Sequence, residues 1–311
     1  MDFKEKLLDR DQPMTLFEMV PPAAGNPEAV ENVIQQAGRA LRLADAINLP
    51  EIHDESRGEP RAAKFVERVE PRVLGNRIRQ QLGMDVVVNR CVVYEADPIP
   101  WFRKTVGEFG FQQVVIVGGE SSRTSYPGPS VLDAARRLQA AGLNTTLGGI
   151  SIPSRVREAE RIRRKAQAGL TFFTTQVLFD ANDIVWLLQR LNGLEARIFL
   201  SFAPVSHRRD LDFLRWLGVD IPQDLDHFVL RESEDGQASQ AVEGNGSCLD
   251  RSLDLFQRIL MDVFDNLPPD PPPIGLNIEH INKRNFGPAI QMLEKLGALY
   301  NHLISARASL A

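Results

Sequence analysis

Short apolar runs alternate with longer segments of helical periodicity along most of this chain. Eight of the runs are almost continuously apolar, a pattern that is typical of strands buried on both faces. Between them, apolar residues recur every three or four positions, as at Val30, Val33, Ile34 and Ala37, which predicts amphipathic helices. The predicted strands cover residues 15–22, 45–49, 85–91, 113–117, 144–152, 171–179, 196–202 and 274–281.

The alternation of strands and helices favours one α/β domain, residues 1–311, folded as a single (β/α)8 TIM barrel. The first predicted helix begins near residue 27, and the second covers 62–82 with a break or kink at Pro71 and Gly75. The remaining predicted helices cover 98–109, 130–141, 154–169, 180–191, 211–217, a long segment that begins at 247, and 288–299. A doubly wound open sheet is the rival fold, but it would carry a glycine-rich turn after the first strand, where Pro21 and Pro22 stand. The polar segment 231–246 is predicted to be a flexible excursion from the barrel.

The composition is that of an ordinary soluble protein, with 43% hydrophobic and 25% charged residues. A net charge of −5 argues against a nucleic-acid or anionic-membrane partner. Cys91 and Cys248 are the two cysteines, so we expect no disulfide framework and a cytoplasmic location. The first ten residues lack the apolar core of a signal peptide, and no apolar run reaches transmembrane length. The histidines show no metal-ligand spacing, so no metal site is predicted.

Glu18 lies within the first predicted strand, between Phe17 and Met19. A carboxylate in apolar surroundings costs several kcal/mol unless it is paired, neutralised or used in catalysis. Catalytic groups collect at the C-terminal ends of barrel strands, and burial raises the pKa of a carboxyl towards the range that suits a general acid. Glu18 is therefore a candidate catalytic acid; an edge strand that turns Glu18 towards water is the alternative.

Nearly every other predicted strand also ends in a polar side chain. Read in chain order after Glu18, the set is Asn48, Asn89, Glu120, Ser151, Gln176, Ser201, Glu279 and Asn282. Gln176 lies inside an apolar run, so its amide either braces a neighbouring strand or binds a ligand through paired hydrogen bonds. Gly118 and Gly119 would let a ligand approach the backbone closely.

Several stretches resemble one known family, the methylenetetrahydrofolate reductases. The similar stretches are Phe17-Glu18 with Pro21-Pro22, Arg-Lys-Ala-Gln-Ala-Gly at 164–169, Thr175-Gln176 with Phe179-Asp180, Pro204-Val205-Ser206, and Ile281-Asn282-Lys283. They follow the family's order over nearly the whole chain. The glutamate and glutamine motifs are fairly specific together, although neither is specific by itself.

The resemblance implies a TIM barrel that reduces 5,10-methylenetetrahydrofolate to 5-methyltetrahydrofolate in one-carbon metabolism, with NADH or NADPH as hydride donor and usually FAD as a relay. Glu18 matches the acid that protonates the folate and opens its methylene bridge to an iminium, and Gln176 matches the residue that binds the pterin. The expected substrate contacts are Gln176, Glu120 and Asn282, and the expected cofactor contacts are Asn48, Asn89, Gly118, Gly119, Ser151 and Lys165.

The residues around the expected flavin depart from the family pattern. The family commonly has a histidine after the third strand, where this chain has Asn89-Arg90-Cys91, and it has Arg-Gly-Asp after the fourth, where this chain has Gly118-Gly119-Glu120. The tyrosine and histidine that contact FAD after the fifth strand have no counterpart in residues 149–154. Bound FAD and direct hydride transfer from NAD(P)H are therefore both left open.

Three other functions remain as alternatives. The barrel could be the folate-handling subunit of a methyl-transfer complex, or a non-catalytic barrel that binds folate or a nucleotide. An aldolase would need a Schiff-base lysine or a metal cluster at the strand ends, and the sequence indicates neither. In each folate-linked function the expected ligand is a small tetrahydrofolate derivative. Whether the protein forms a homo-oligomer is left open.

Overall fold

The computed structural model describes residues 3–55, 64–119, 124–230 and 247–309. Its centre is a closed barrel of eight parallel strands in chain order, in which β1 pairs with both β2 and β8. The strands are β1 (Thr15–Met19), β2 (Ala46–Leu49), β3 (Asp85–Cys91), β4 (Gln113–Val117), β5 (Thr146–Ser151), β6 (Leu170–Thr175), β7 (Arg197–Phe202) and β8 (Ile274–His280). The predicted (β/α)8 barrel is confirmed.

Helices surround the barrel and alternate with its strands. They are α1 (Phe3–Leu8), α2 (Pro27–Ala40), α3 (Pro71–Leu82), α4 (Ile99–Gly107), α5 (Val131–Ala140), α6 (Glu158–Gln167), α7 (Ala181–Arg190), α8 (Arg208–Trp216), α9 (Gln223–Leu230), α10 (Cys248–Asp265) and α11 (Phe286–Ala308). Side chains of Asn26, Ser130, Asp180 and Ser247 accept hydrogen bonds from backbone N–H groups at the starts of their helices. Local capping chemistry thus fixes where several helices begin.

The structure changes some predicted boundaries. The helix predicted over 62–82 begins only at Pro71, a residue that fits the first helical position because its missing N–H would have no partner there. Residues 64–70 instead run beside the loop after β1, where Val69 N–H donates to the Pro22 carbonyl at 2.9 Å. Helices α1 and α9 were not predicted. The predicted excursion at 231–246 lies outside the described residues.

Apolar side chains inside the lower half of the barrel form a compact cluster. Its strand members, which alternate with outward-facing residues, are Leu16, Ala46, Val87, Val115, Phe172 and Phe199. Gly148 and Gly275 leave room for the two phenyl rings, because a Cβ at either glycine would lie 2.3 Å from a ring atom of Phe172 or Phe199. The outward-facing residues pack against the helices in a second, larger cluster.

Arg197 closes the floor of the barrel, where its side chain is fully buried. Its five N–H groups donate to five backbone carbonyls, those of Lys6, Leu7, Asp9, Gln12 and Ile274. Tyr300 donates to the same Ile274 carbonyl at 2.9 Å and accepts from the Met14 N–H at 3.0 Å. These bonds hold α1 and the segment before β1 across the bottom of the barrel.

Among the helices within the described ranges, none combines the length and the apolar character needed to cross a bilayer.

Candidate functional site

The upper half of the barrel interior is polar along β1, β2, β3, β7 and β8, whereas β4 and β5 contribute the apolar Val117 and Ile150. Side chains on a strand alternate between its two faces, so each residue two positions after a member of the lower cluster also points inward. Above Leu16 this position is Glu18, and above Ala46 it is Asn48. On β7 and β8 the corresponding inward positions are Ser201, Asn277 and Glu279, and on β3 the position is Asn89. These six side chains form what we call the polar layer, at the C-terminal mouth of the barrel.

Two carboxyl groups lie side by side in this layer. Glu18 of β1 and Glu279 of β8 are direct partners in the strand register. Burial raises the pKa of Glu18 well above its ordinary value, and the neighbouring Glu279 raises it further. Asn48 Nδ2 donates to Glu18 Oε2 at 2.8 Å, which acts in the opposite direction but does not outweigh the other two effects. Glu18 therefore retains a proton at pH values where an exposed glutamate has lost it.

Glu279 is held by a short chain of hydrogen bonds. Burial raises its pKa to about 7, and a hydrogen bond from the Ser201 hydroxyl partly opposes this rise. Asn277 Nδ2 donates to Ser201 Oγ at 2.9 Å and lies 3.4 Å from Glu279 Oε1. Two adjacent carboxyls in a buried site resist ionising together, so the pair keeps at least one proton near neutral pH.

Three amide oxygens in the polar layer are buried without a hydrogen-bond donor. They are Oδ1 of Asn48, Asn89 and Asn277, and none has a partner among the residues that the structure describes. An unpaired buried acceptor is costly, and native structures rarely leave several together without a ligand or ordered water. The mouth of the barrel thus offers three buried acceptors to the N–H or O–H donors of a ligand or of ordered water.

Gln176 lies just beyond the end of β6, two strands from β8. Its Nε2 donates to the Leu217 carbonyl at 3.2 Å, so the amide does brace the end of α8. It also lines a narrow cleft with Asp180, Asp183 and Asp220, whose volume of about 50 Å³ is too small for a pterin ring. The bracing contact leaves the amide oxygen of Gln176 as the group that could face a ligand.

Asn282 is the other described residue that was expected to contact the substrate. Its side chain forms hydrogen bonds with other residues of the protein. Its Nδ2 donates to Asp210 Oδ1 at 2.9 Å, and its Oδ1 accepts from the Arg284 N–H at 2.9 Å. Asp210 also accepts from the Ser206 N–H at the start of α8. These contacts fasten the loop after β8 to α8. The third expected substrate contact, Glu120, lies outside the described residues.

Two of the expected cofactor contacts, Gly119 and Lys165, contact other parts of the protein. A Cβ at Gly119 would lie 2.2 Å from the Tyr126 ring, so the space beside this glycine is taken by a side chain of the protein. Ser151 continues the outward-facing side of β5, on which Gly149 lies against Phe173 of the outer cluster. Lys165 donates to the Ile150 carbonyl at 2.9 Å, and burial lowers its pKa. Gly119 and Lys165 thus have contacts within the protein, whereas the buried Oγ of Ser151 has no hydrogen-bond partner in the described part of the chain.

The sequence did not point to Asn277. It marked Ser201 and Glu279 only as polar residues at strand ends. The signal for them was present in β8, where Asn277 and Glu279 are spaced by two and therefore share one face of a strand.

The sequence also gave no sign of a cluster above β2 and β3. There Glu51 lies within hydrogen-bonding distance of both the Arg90 guanidinium and the Cys91 N–H, and 3.2 Å from His53 Nε2.

No family model and no curated protein matches the sequence. A solved structure does: an uncharacterized protein from Clostridium thermocellum that binds two copies of 5-methyl-5,6,7,8-tetrahydrofolic acid. It has 20% sequence identity and a TM-score of 0.74, and the match covers 96% of this chain and 100% of that one. Dihydropteroate synthase from Xanthomonas albilineans, in complex with 7,8-dihydropteroate, is more distant, with 15% identity, a TM-score of 0.46 and 94% of each chain covered. At these identities the first likeness shows the fold, and this chain is a (β/α)8 barrel.

Proposed function

We propose that the mouth of this barrel binds a reduced folate and that the protein reduces 5,10-methylenetetrahydrofolate to 5-methyltetrahydrofolate with NADH or NADPH. The observation that carries the proposal is the polar layer, in which a carboxyl with a pKa raised by burial and by a second carboxyl shares the barrel mouth with three buried amide oxygens that have no donor among the described residues. A general acid and a set of unpaired acceptors are what this substrate requires.

Folate binding is proposed because the donors of a pterin match the unpaired acceptors of the polar layer. A reduced pterin is flat and presents ring N–H groups and an amino group along its edges. Oδ1 of Asn48, Asn89 and Asn277 could accept from such donors and would then no longer be buried without partners. The full-length structural match to a protein that binds 5-methyltetrahydrofolic acid supports the same ligand class.

The chemical part assigns the proton to Glu18. Its carboxyl gives a proton to the bridge nitrogen of the methylene group, the bond from that nitrogen to the bridging carbon breaks, and an iminium forms on the other nitrogen. The nicotinamide then transfers a hydride to the iminium carbon, which becomes the methyl group. Burial and, after it, the neighbouring Glu279 raise the pKa of Glu18, which favours its acid form when substrate binds.

The hydride passes directly from NAD(P)H to the folate in this proposal. Gly119 and Lys165, two of the expected cofactor contacts, contact other parts of the protein, so no step is assigned to FAD. Titration of FAD into the purified protein should therefore leave NAD(P)H-dependent turnover unchanged. Saturable flavin binding that raises the rate would contradict direct transfer.

The central test compares two glutamate variants. Glu18→Gln keeps the size and the hydrogen bond to Asn48 but removes the proton donor, so the rate of folate-dependent NAD(P)H oxidation should fall about 10²–10⁴-fold. Glu108→Gln, which alters an exposed partner of Lys104, is the matched control and should retain the wild-type rate.

Calorimetric folate binding should accompany the kinetics. Wild-type protein that binds 5-methyltetrahydrofolate but never oxidises NAD(P)H would contradict the reductase and favour a folate-handling subunit of a methyl-transfer complex. Absence of binding would reject the folate ligand itself. A Glu18→Gln rate within a few-fold of wild type would reject Glu18 as the acid.

A further inference from the structure

A mixed donor cluster lies above the polar layer, at the C-terminal ends of β2 and β3. Glu51 and His53 follow β2, and Cys91 is the last residue of β3. One carboxylate oxygen, one imidazole nitrogen and the thiol sulfur all lie within 4.8 Å of one another. The cluster belongs to no part of the proposed reduction.

We propose that Glu51, His53 and Cys91 bind a zinc ion at the rim of the barrel. Thiolate, imidazole and carboxylate are the three ligand types that Zn²⁺ takes from proteins. The presence of a thiolate disfavours Mg²⁺ and Ca²⁺, which select oxygen ligands. The pairing of β2 with β3 brings Cys91 to residues that precede it by about forty positions.

The spacing of the donor atoms fits this ion. Bonds of about 2.0–2.3 Å in tetrahedral directions place ligand atoms roughly 3.3–3.8 Å apart. His53 Nε2 and Glu51 Oε2 are already 3.2 Å apart. The widest separation in the cluster is at most 4.8 Å, so a contraction of about 1 Å, within the range of side-chain rotation, completes the geometry.

Neighbouring groups hold the ligands in place, as outer partners do in metal sites. The Arg90 guanidinium binds Glu51 Oε1, and the Cys91 N–H donates to Glu51 Oε2 at 2.6 Å. The His53 ring lies against the Tyr94 ring, with centroids 4.2 Å apart. The carboxylate and the imidazole are thus oriented before any ion arrives.

Charge does not oppose an ion at this position. The thiolate of Cys91 and the carboxylate of Glu51 would balance the two positive charges of zinc. Arg90, the nearby cation, is balanced by its separate ion pair with Glu95. The site therefore becomes neutral when it is filled.

Three protein ligands leave a fourth position for water or a substrate atom, the arrangement found in catalytic zinc sites. The side chains of Glu51 and His53 are 12% and 28% exposed, whereas Cys91 is buried, so that position faces the solvent side of the rim. The inference is independent of the folate proposal, because its tests measure metal rather than turnover.

The experiment uses the full chain, stripped with a chelator and titrated with Zn²⁺ by calorimetry and with Co²⁺ by absorbance. We expect one equivalent of metal to bind and Co²⁺ to produce a thiolate-to-metal charge-transfer band. Cys91→Ser should abolish the band and weaken zinc binding by more than about 100-fold, since loss of a ligand exceeds the 10–100-fold effect of an outer partner. Cys248→Ser on α10 is the matched control and should keep both signals.

His53→Gln provides a second variant, which should keep a weakened charge-transfer band because the thiolate remains. Circular dichroism and thermal unfolding check that each variant is folded. Absence of zinc binding by the folded wild type would overturn the proposal and leave Glu51 with its contacts to Arg90, His53 and the Cys91 N–H. Binding that survives Cys91→Ser unchanged would overturn it as well.

Discussion

Arg197 in the floor of the barrel and Asn48, Asn89 and Asn277 in its mouth are all buried polar side chains of one enclosed interior. Arg197 has a carbonyl for each of its N–H groups. The three asparagines each keep an oxygen without a donor in the described part of the chain. A satisfied buried group stabilises a fold, whereas unsatisfied groups at the mouth of a barrel cost stability that ligand binding can recover. The floor therefore has the hydrogen bonding of a structural element, and the mouth has that of the ligand site that we propose.

Removal of the floor residue should produce the largest effect on stability. In Arg197→Met five carbonyls lose a donor, two of them in buried hydrogen bonds and three in partly buried ones. One lost buried partner costs about 1–3 kcal/mol, so the free energy of unfolding should fall by at least about 3 kcal/mol. Urea unfolding measures this change. Arg10→Met, which breaks an exposed pair with Asp270, is the control and should cost about 0–1 kcal/mol.

Folate affinity per folded molecule should be unchanged in Arg197→Met, since the floor lies at the opposite end from the polar layer. If this variant does not fold, Arg197→Lys tests the same point with three donors in place of five. A floor variant that is as stable as wild type would show that these hydrogen bonds are not what fastens α1.

Glu279→Gln should change the pH dependence of both activity and stability. The folded-state pKa of Glu279 is about 7 against an ordinary 4.5, so folded wild-type protein binds extra protons between these values and loses stability as pH rises from 4.5 to 7. The variant should lack this loss of stability. Between pH 4.5 and 7 its free energy of unfolding should therefore fall by roughly 1–3 kcal/mol less than that of wild type, after allowance for solvent screening. Unfolding midpoints measured across this pH range test the prediction.

The same substitution should move the pH profile of the rate. Without the charge of Glu279 the pKa of Glu18 falls, although burial still raises it and Asn48 still lowers it. Activity that needs protonated Glu18 should therefore be lost at a lower pH than in wild type. An unshifted profile would mean that the two carboxyls do not interact.

Asn89→Leu should separate stability from binding. It removes a buried acceptor that has no donor, so the apoprotein should be as stable as wild type or more so. Folate affinity should fall about 5- to 150-fold, because one N–H of the ligand would lose its partner. Thermal unfolding and calorimetry on the same samples measure the two quantities. If stability and folate affinity both fell, Asn89 would be a structural residue rather than a ligand contact.

Gln176→Leu should have a small effect on the fold. It loses the bond to the Leu217 carbonyl, which is worth about 0.5–1.5 kcal/mol. Folate affinity should also fall if the amide oxygen binds the pterin, and Gln176→Glu, which keeps an oxygen at that position, should restore part of it. Loss of stability with unchanged affinity in both variants would leave Gln176 as a brace only.

The sequence predicted the barrel well because its strands are short apolar runs, and β3 and β4 have the predicted bounds. Contacts between distant segments could not be predicted in this way. Asn282, an expected substrate contact, donates a hydrogen bond to Asp210 of α8 across 72 positions, a contact that its spacing in the sequence does not indicate. The Glu51, His53 and Cys91 cluster escaped notice because strand pairing, rather than sequence spacing, brings its members together.

The pairing of β1 with β8 also has a consequence for biosynthesis. The barrel closes only when residues 15–19 meet residues 274–280, and Arg197 binds the Leu7 carbonyl across 190 positions. Contacts of such sequence separation form late, because a long loop must first lose its conformational freedom. While the chain emerges from the ribosome, β1 therefore has its β2 neighbour but an open edge on the other side. That edge is exposed to other chains until almost the whole domain has been made, so this is the interval in which chaperone protection matters most.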